Sequence, residues 1–178
     1  MNFIGKYLLL IFLYLTLVGQ KGNEIANTEN TYKIVYLERF CRYIEWPKNA
    51  NHIVNNKFKI GIIGKNPFGT QITKFFNKRK IKNRSVEVEE IKDIVDINNF
   101  DLVFVSNTVN NDIPNIVKIA NGNPVLLIGD GLGFAKKGIH INYVLKDESL
   151  KFAINLSQIK KTKLLVDSNL LKIAVNIY

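Results

Sequence analysis

Apolar residues recur at three- or four-residue intervals through Ile34, Leu37, Phe40, Cys41 and Ile44, which predicts an amphipathic helix from Thr31 until Pro47 stops it. Trp46 stands at its end. After a polar stretch from Lys48 to Lys57, the short apolar run Phe58 to Ile63 reads as a strand. The Gly64-Lys65-Asn66-Pro67 that follows predicts a turn and a second helix, with Asn66 as N-cap, Pro67 at its first position and a buried stripe of Ile72, Phe75 and Phe76. Val86 and Val88 alternate with Glu87 and Glu89, the pattern of a strand with one wet face near a sheet edge. Leu102 to Val105 and Val125 to Ile128 are apolar throughout, as strands covered on both faces are. Between them Pro114 to Ala120 reads as a helix closed by Asn121-Gly122-Asn123.

The order strand, helix, strand, strand, helix, strand predicts an α/β fold, a three-layer α/β/α arrangement with a mainly parallel sheet. After Gly138 the pattern changes: Ile139, Ile141 and Tyr143 alternate with His140 and Asn142, and Leu150, Phe152 and Ile154 alternate with Lys151 and Ala153. Two such strands joined by Lys146-Asp147-Glu148 predict an antiparallel C-terminal hairpin at one sheet edge, with His140 on its exposed face. Ser168 then caps a last helix through Leu170, Leu171, Ala174 and Val175.

The chain's 178 residues and 47% apolar content suit one domain with a substantial core. Its beginning is set apart. The uninterrupted apolar run Tyr7 to Val18, with Lys6 before it and polar residues after it, has the form of a secretory signal. At about 1.5 Å per residue that run is short for the ~30 Å hydrocarbon core of a bilayer. The expected organisation is a signal peptide over 1–22, a flexible tether over 23–30 and a single domain over 31–178. Cys41 is the sole cysteine, so no intrachain disulfide can form and stability must come from packing. The net charge of +10 favours anionic lipid or an acidic partner. Its densest patch, Lys74 to Arg84, sits beside Phe75 and Phe76 at the spacing of a buried helix face, so it reads as a solvated helix end rather than a nucleic-acid surface.

Candidate chemistry is sparse. Gly129-Asp130-Gly131-Leu132-Gly133-Phe134 follows a buried strand, where a dinucleotide fingerprint would stand, but Gly133 arrives one residue early and Phe134 takes the last glycine's place. Gly61-Ile62-Ile63-Gly64 with Asn66-Pro67-Phe68-Gly69 is a second strand-to-helix turn and reads as an ordinary helix start. His52 and His140 are the only histidines and have no zinc-ligand spacing with Cys41, so neither a metal nor a cofactor is expected. Ser106 follows a strand but lacks the G-x-S-x-G elbow, and Asp101 and Asp130 do not suggest an acid/base pair.

Several segments taken together resemble the YfiR-like family of bacterial periplasmic proteins. They are Leu37 to Pro47 closing on Glu45-Trp46-Pro47, Ile60 to Gly64 with Asn66 to Gly69, Asp101 to Ser106, Gly129-Asp130, Gly133-Phe134-Ala135, Gly138-Ile139, Lys151 to Asn155 and Leu170 to Ala174. The resemblance implies a periplasmic, non-enzymatic regulator. By analogy it restrains the sensor region of an inner-membrane diguanylate cyclase or histidine kinase, lowers cyclic di-GMP and limits biofilm formation. It also implies a domain able to form a homodimer; a small-molecule ligand is a further candidate partner, and nucleic acid is not expected. From side-chain type and motif position, Phe40, Trp46, Phe68 and Phe134 are the candidate contact or pocket residues, and Lys151 is a candidate anion contact. The redox-sensitive disulfides of the best-known member have no counterpart here, since Cys41 stands alone. The rival readings are a small-molecule or nucleotide-binding enzyme of doubly wound type, suggested by the glycine turns, and a basic surface-binding or nucleic-acid protein.

Overall fold

The computed structural model describes residues 28–47 and 57–178. Helix α1 spans 28–43 and runs into the short strand β1 (Ile44–Glu45). Next come β2 (Lys57–Ile63), α2 (Gln71–Phe76), β3 (Lys80–Ile81) and β4 (Arg84–Ile91). A 3-10 turn over Ile94–Asn99 leads to β5 (Leu102–Val105), and another over Asn107–Asp112 leads to α3 (Ile113–Ala120) and β6 (Leu126–Gly129). The remaining elements are β7 (Ile141–Lys146), β8 (Ser149–Ile154), α4 (Leu156–Ile159), β9 (Leu165–Val166), α5 (Ser168–Ile173) and β10 (Asn176–Ile177). Among the described residues no helix is long and apolar enough to cross a membrane.

Eight strands form one mixed sheet in the order β10-β8-β7-β6-β5-β2-β4-β3. At its centre β2 pairs in parallel with both β4 and β5, and β5 continues in parallel to β6. The pairs β7·β8 and β3·β4 are antiparallel. The apolar runs are continuous because consecutive side chains enter different cores. In β5, Leu102 and Phe104 join a core with α1, α2 and the C-terminal hairpin, while Val103 and Val105 join a second core with α3 and Phe134.

Differences from the sequence reading lie mostly at element ends. The helical spacing from Cys41 to Ile44 runs past the true end of α1: Ile44 and Glu45 are extended and pair antiparallel with Val166 and Leu165 of β9. Helical structure already covers 28–30, three residues of the stretch expected as a tether. The signal expected over 1–22 lies outside the described residues, as does His52. Asn66 does not cap α2; its side chain accepts from the Phe68 amide at 2.9 Å, and the helix starts only after Thr70. Asp167, rather than Ser168, caps α5, accepting from the Asn169 amide at 2.7 Å. The hairpin β7·β8 is present, but β10 adds in parallel outside β8, so the hairpin is not the sheet edge. Its turn uses two residues of positive φ, Asp147 at 50° and Glu148 at 56°, as a two-residue turn matched to strand twist requires.

His140 departs most from expectation. It is buried, not exposed, and its Nδ1 accepts the Leu127 amide at 3.0 Å. Alternation does not report exposure where both faces of a sheet are covered. Burial pushes its pKa down to about 3. The folded state therefore takes up this proton less readily than the unfolded chain, whose histidine titrates near 6.5. Stability is complete above that pH and falls as pH drops from about 6.5 toward 3, with a slope approaching roughly 1.4 kcal/mol per pH unit. Thermal melts should show the midpoint falling between pH 6.5 and 4.5, with a flatter dependence in His140→Gln. Identical profiles would remove His140 as the cause.

Candidate functional site

In an open α/β sheet, ligands bind at the carboxyl ends of the strands where the strand order reverses. Here that place lies between β2 and β5, beyond Ile63 and Val105, and protein atoms fill it. Thr108 Oγ1 accepts the Lys65 amide at 3.0 Å and donates to Ser106 Oγ at 3.1 Å. Gly64 has φ +85°, and a Cβ there would meet Thr108 Oγ1 at 2.6 Å. Ser106 is buried and also caps the following 3-10 turn. Its hydroxyl is thus committed to turn structure.

The glycine-rich run is filled in the same way. A Cβ on Gly131 would collide with the Phe134 ring, which folds back into the core beneath Gly129. Asn142 Nδ2 donates to the Gly131 carbonyl at 2.9 Å. Asp130 accepts from Lys33 Nζ at 3.0 Å and from the Asn107 amide at 2.9 Å, tying the loop to α1 and to the neighbouring turn. Burial pulls the Lys33 pKa down, but Glu29 and Asp130 outweigh it and hold the ammonium above its ordinary value. Gly131 is required because a Cβ there would lie 2.1 Å from the Phe134 ring. Gly131→Ala should therefore lower stability by roughly 1–3 kcal/mol. Gly133→Ala, at φ +71° with open space around it, should cost about 1–2 kcal/mol from backbone strain alone. Chemical denaturation of both variants checks this, and an unaffected Gly131→Ala would refute the packing role.

The Glu45-Trp46-Pro47 motif is anchored inward. Trp46 is half-buried, its Nε1 donates to the Asp101 carbonyl at 3.1 Å, and its ring meets Phe58 edge-on at 5.2 Å. The Asp101 carboxylate is fully buried and accepts from Arg84 Nη2 at 2.5 Å, Arg84 Nη1 at 3.3 Å and the Lys59 amide at 2.8 Å. The Arg84 guanidinium lies 4.9 Å from the Phe58 ring centroid. One buried network therefore joins the end of α1 to β2, β4 and β5.

A concavity with a largely apolar lining lies elsewhere, between α1 and the tip of the β7·β8 hairpin. It encloses ≈ 940 Å³, and Tyr32, Tyr36, Leu145, Leu150 and Lys151 are among its lining residues. Tyr32 is 57% exposed and Leu145 is 69% exposed, large apolar surfaces held open to solvent. The floor is rigid: Tyr36 stacks on Phe40 at 5.6 Å and approaches Phe152 at 6.1 Å, and Phe40 meets Phe152 edge-on at 4.9 Å. Glu29, Glu148 and Lys151 place charges on the rim. The groove thus has an aromatic and aliphatic centre over a packed aromatic layer, inside a charged border.

The structure brings together two of the five residues singled out from sequence: Lys151 on the groove rim and Phe40 in the layer beneath it. Phe68 is buried against Phe104 at 4.7 Å, Phe134 is buried under the glycine run, and Trp46 belongs to the Asp101 network. Tyr32, Tyr36 and Leu145 were missed. The one signal for them was the pair of leucines flanking the predicted hairpin turn, Leu145 and Leu150, which face each other across the strands. Cys41 is free and buried, and burial raises its thiol pKa, so it is held as a neutral core group. Among the described residues no group of three or more His, Cys, Asp or Glu side chains is placed to hold a metal ion.

The chain belongs to the YfiR/HmsC-like family, whose model matches residues 30–175. No curated protein matches it. Two solved structures share part of its course: an ABC domain from Streptococcus pneumonia in complex with L-Trp, and a conserved domain protein from Vibrio cholerae O1 biovar eltor. The first is 14% identical with a TM-score of 0.49, covering 68% of this chain and 55% of that one. The second is 13% identical with a TM-score of 0.49, covering 71% and 57%. The chain thus matches little more than half the length of either, and neither likeness bears on function.

Proposed function

We propose that this protein is a periplasmic, non-enzymatic regulator that binds the sensor region of an inner-membrane signalling protein, a diguanylate cyclase in the first instance, and holds it inactive. Lower cyclic di-GMP and less biofilm are the consequences. Membership of the YfiR/HmsC-like family over residues 30–175 carries this reading. In it, residues 1–22 are the leader that directs export, the domain begins near residue 31, and the two cores are the two interlayer spaces of an α/β/α arrangement. The groove of Tyr32, Tyr36 and Leu145 is the docking surface, with Lys151 meeting an anion on the partner's rim.

Restraint by binding is a population shift: the regulator must bind the inactive sensor more tightly than the active one. A hundredfold preference, about 2.8 kcal/mol, is enough to reverse a partner poised at ten to one in favour of activity. The filled crevices at Gly64 and Gly131 weigh against the nucleotide-binding enzyme, which needs that space for phosphate. Deleting the gene should raise cyclic di-GMP in the producing cell, and re-expression of the chain should lower it again. An unchanged level in the deletion strain overturns the proposal.

A further inference from the structure

The basic stretch Lys74 to Arg84, read from sequence as a solvated helix end, meets two more arginines in the fold. Arg39 and Arg42 on α1, Arg79 after α2 and Lys80 of β3 line one concavity of ≈ 470 Å³, with Val35 and Phe75 as its apolar lining. Among the described residues Glu38 is the one carboxylate lining it, and it is engaged by Arg42 through Nε at 3.0 Å and Nη2 at 2.7 Å. Arg79 is set in place before any ligand arrives. Its guanidinium lies 4.0 Å from the Phe75 ring centroid and its Nη1 donates to the Phe75 carbonyl at 2.7 Å, leaving the rest of the fork free. The side chains of Arg39 and Lys80 are exposed and make no hydrogen bond or ion pair with another described residue.

The excess of cations here does not merely mirror a basic chain. The concavity beside β4 and the 3-10 turn before β5 has the opposite balance, with Glu89, Glu90 and Asp96 against Lys59 and Lys92. A stacked, planar arginine fork with unpaired donors, flanked by a second arginine and a lysine, matches the oxygens of a phosphate group. Exposed Lys74, Lys78 and Lys82 extend the positive charge beyond what one ion can use. From this we infer that the Arg39–Arg79–Lys80 pocket binds phosphate groups of anionic phospholipid headgroups and holds the protein against a membrane surface. The inference is independent of the partner groove, which lies between α1 and the β7·β8 hairpin.

The test is flotation of the full-length protein with vesicles of phosphatidylglycerol and phosphatidylcholine, compared with phosphatidylcholine alone. The apolar run Tyr7 to Val18 is present in every variant, so differences between variants read the pocket. Arg39→Gln/Lys80→Gln should weaken binding to the anionic vesicles roughly 30-fold, since each basic residue at such a surface contributes about 1 kcal/mol, roughly fivefold, that salt then screens. Lys160→Gln/Lys163→Gln, the same charge change at exposed lysines outside the pocket, should leave it within about threefold. Equal losses in the two double variants, or equal binding to neutral and anionic vesicles, would overturn the pocket. Displacement by inorganic phosphate beyond that by chloride at equal ionic strength would overturn the lipid source. All of these side chains are exposed, and unchanged thermal melts exclude misfolding as the cause of a loss.

Discussion

Asp101→Ala should lower the melting temperature by roughly 6–20 °C. The carboxylate is fully buried and satisfies both nitrogens of the Arg84 fork and the Lys59 amide. Removing it leaves a buried guanidinium with, among the described residues, the Lys57 carbonyl at 3.1 Å and the Phe58 face as partners. Breaking a buried pair from one side costs about 3–5 kcal/mol, because the surviving charge keeps its desolvation penalty without its counterion. At about 2–4 °C per kcal/mol for a protein of this size, that gives the stated range. Replacing both partners together, Arg84→Met with Asp101→Leu, should recover much of the loss, since two apolar groups leave no orphan charge. Calorimetry decides: a fall below about 2 °C for Asp101→Ala, or a double replacement no better than the single one, would show that the pair is not the keystone of β2, β4 and β5.

The largest effect on function is expected from the groove. Leu145→Asp puts a charge at the centre of an apolar patch, and Tyr32→Ala removes an exposed ring beside it; each should weaken binding to the sensor region of the inner-membrane partner by roughly 30-fold or more. Both side chains are exposed, so folding stability should stay within about 0.5 kcal/mol of the parent. In cells the variants should leave cyclic di-GMP at the level of the deletion strain. Parent-like affinity in both variants would move the docking surface away from the hairpin tip. The deletion result would still stand, so failure of the groove and failure of the regulatory role are separable.

Sequence pattern identified most of the sheet and less of the site. The central strands were legible because Leu102 to Val105 and Leu126 to Ile128 send alternate side chains into two cores, which leaves an unbroken apolar run. Helix α3 was legible from Pro114 in its first turn, and the β7·β8 hairpin from its alternation. Strand β1 was hidden because Ile44 follows Cys41 at helical spacing, and only β9, some 120 residues later, makes it extended. The β3·β4 turn was hidden in a run of basic residues: Lys82 and Asn83 take φ of 49° and 64°, a left-handed pair that a lysine does not advertise. The groove was missed for a similar reason. It joins Tyr32 to Leu145 across most of the domain, and no local pattern marks two residues that meet only after the sheet has formed.

The lodging of α1 against the C-terminal hairpin also fixes the order in which the chain can become stable. Phe40 packs on Tyr143 and Phe152, and the Tyr143 hydroxyl donates to the Lys33 carbonyl at 2.7 Å, so the first described helix waits for some of the last strands. Contacts this distant in sequence carry a loop-closure penalty that slows folding. A polypeptide delivered from its amino end therefore presents the bare face of Ile34, Leu37 and Phe40 until nearly all of it has emerged. Such a chain cannot fold piecemeal as it appears; it depends on a holding chaperone, or on rapid completion, to keep that helix from aggregating.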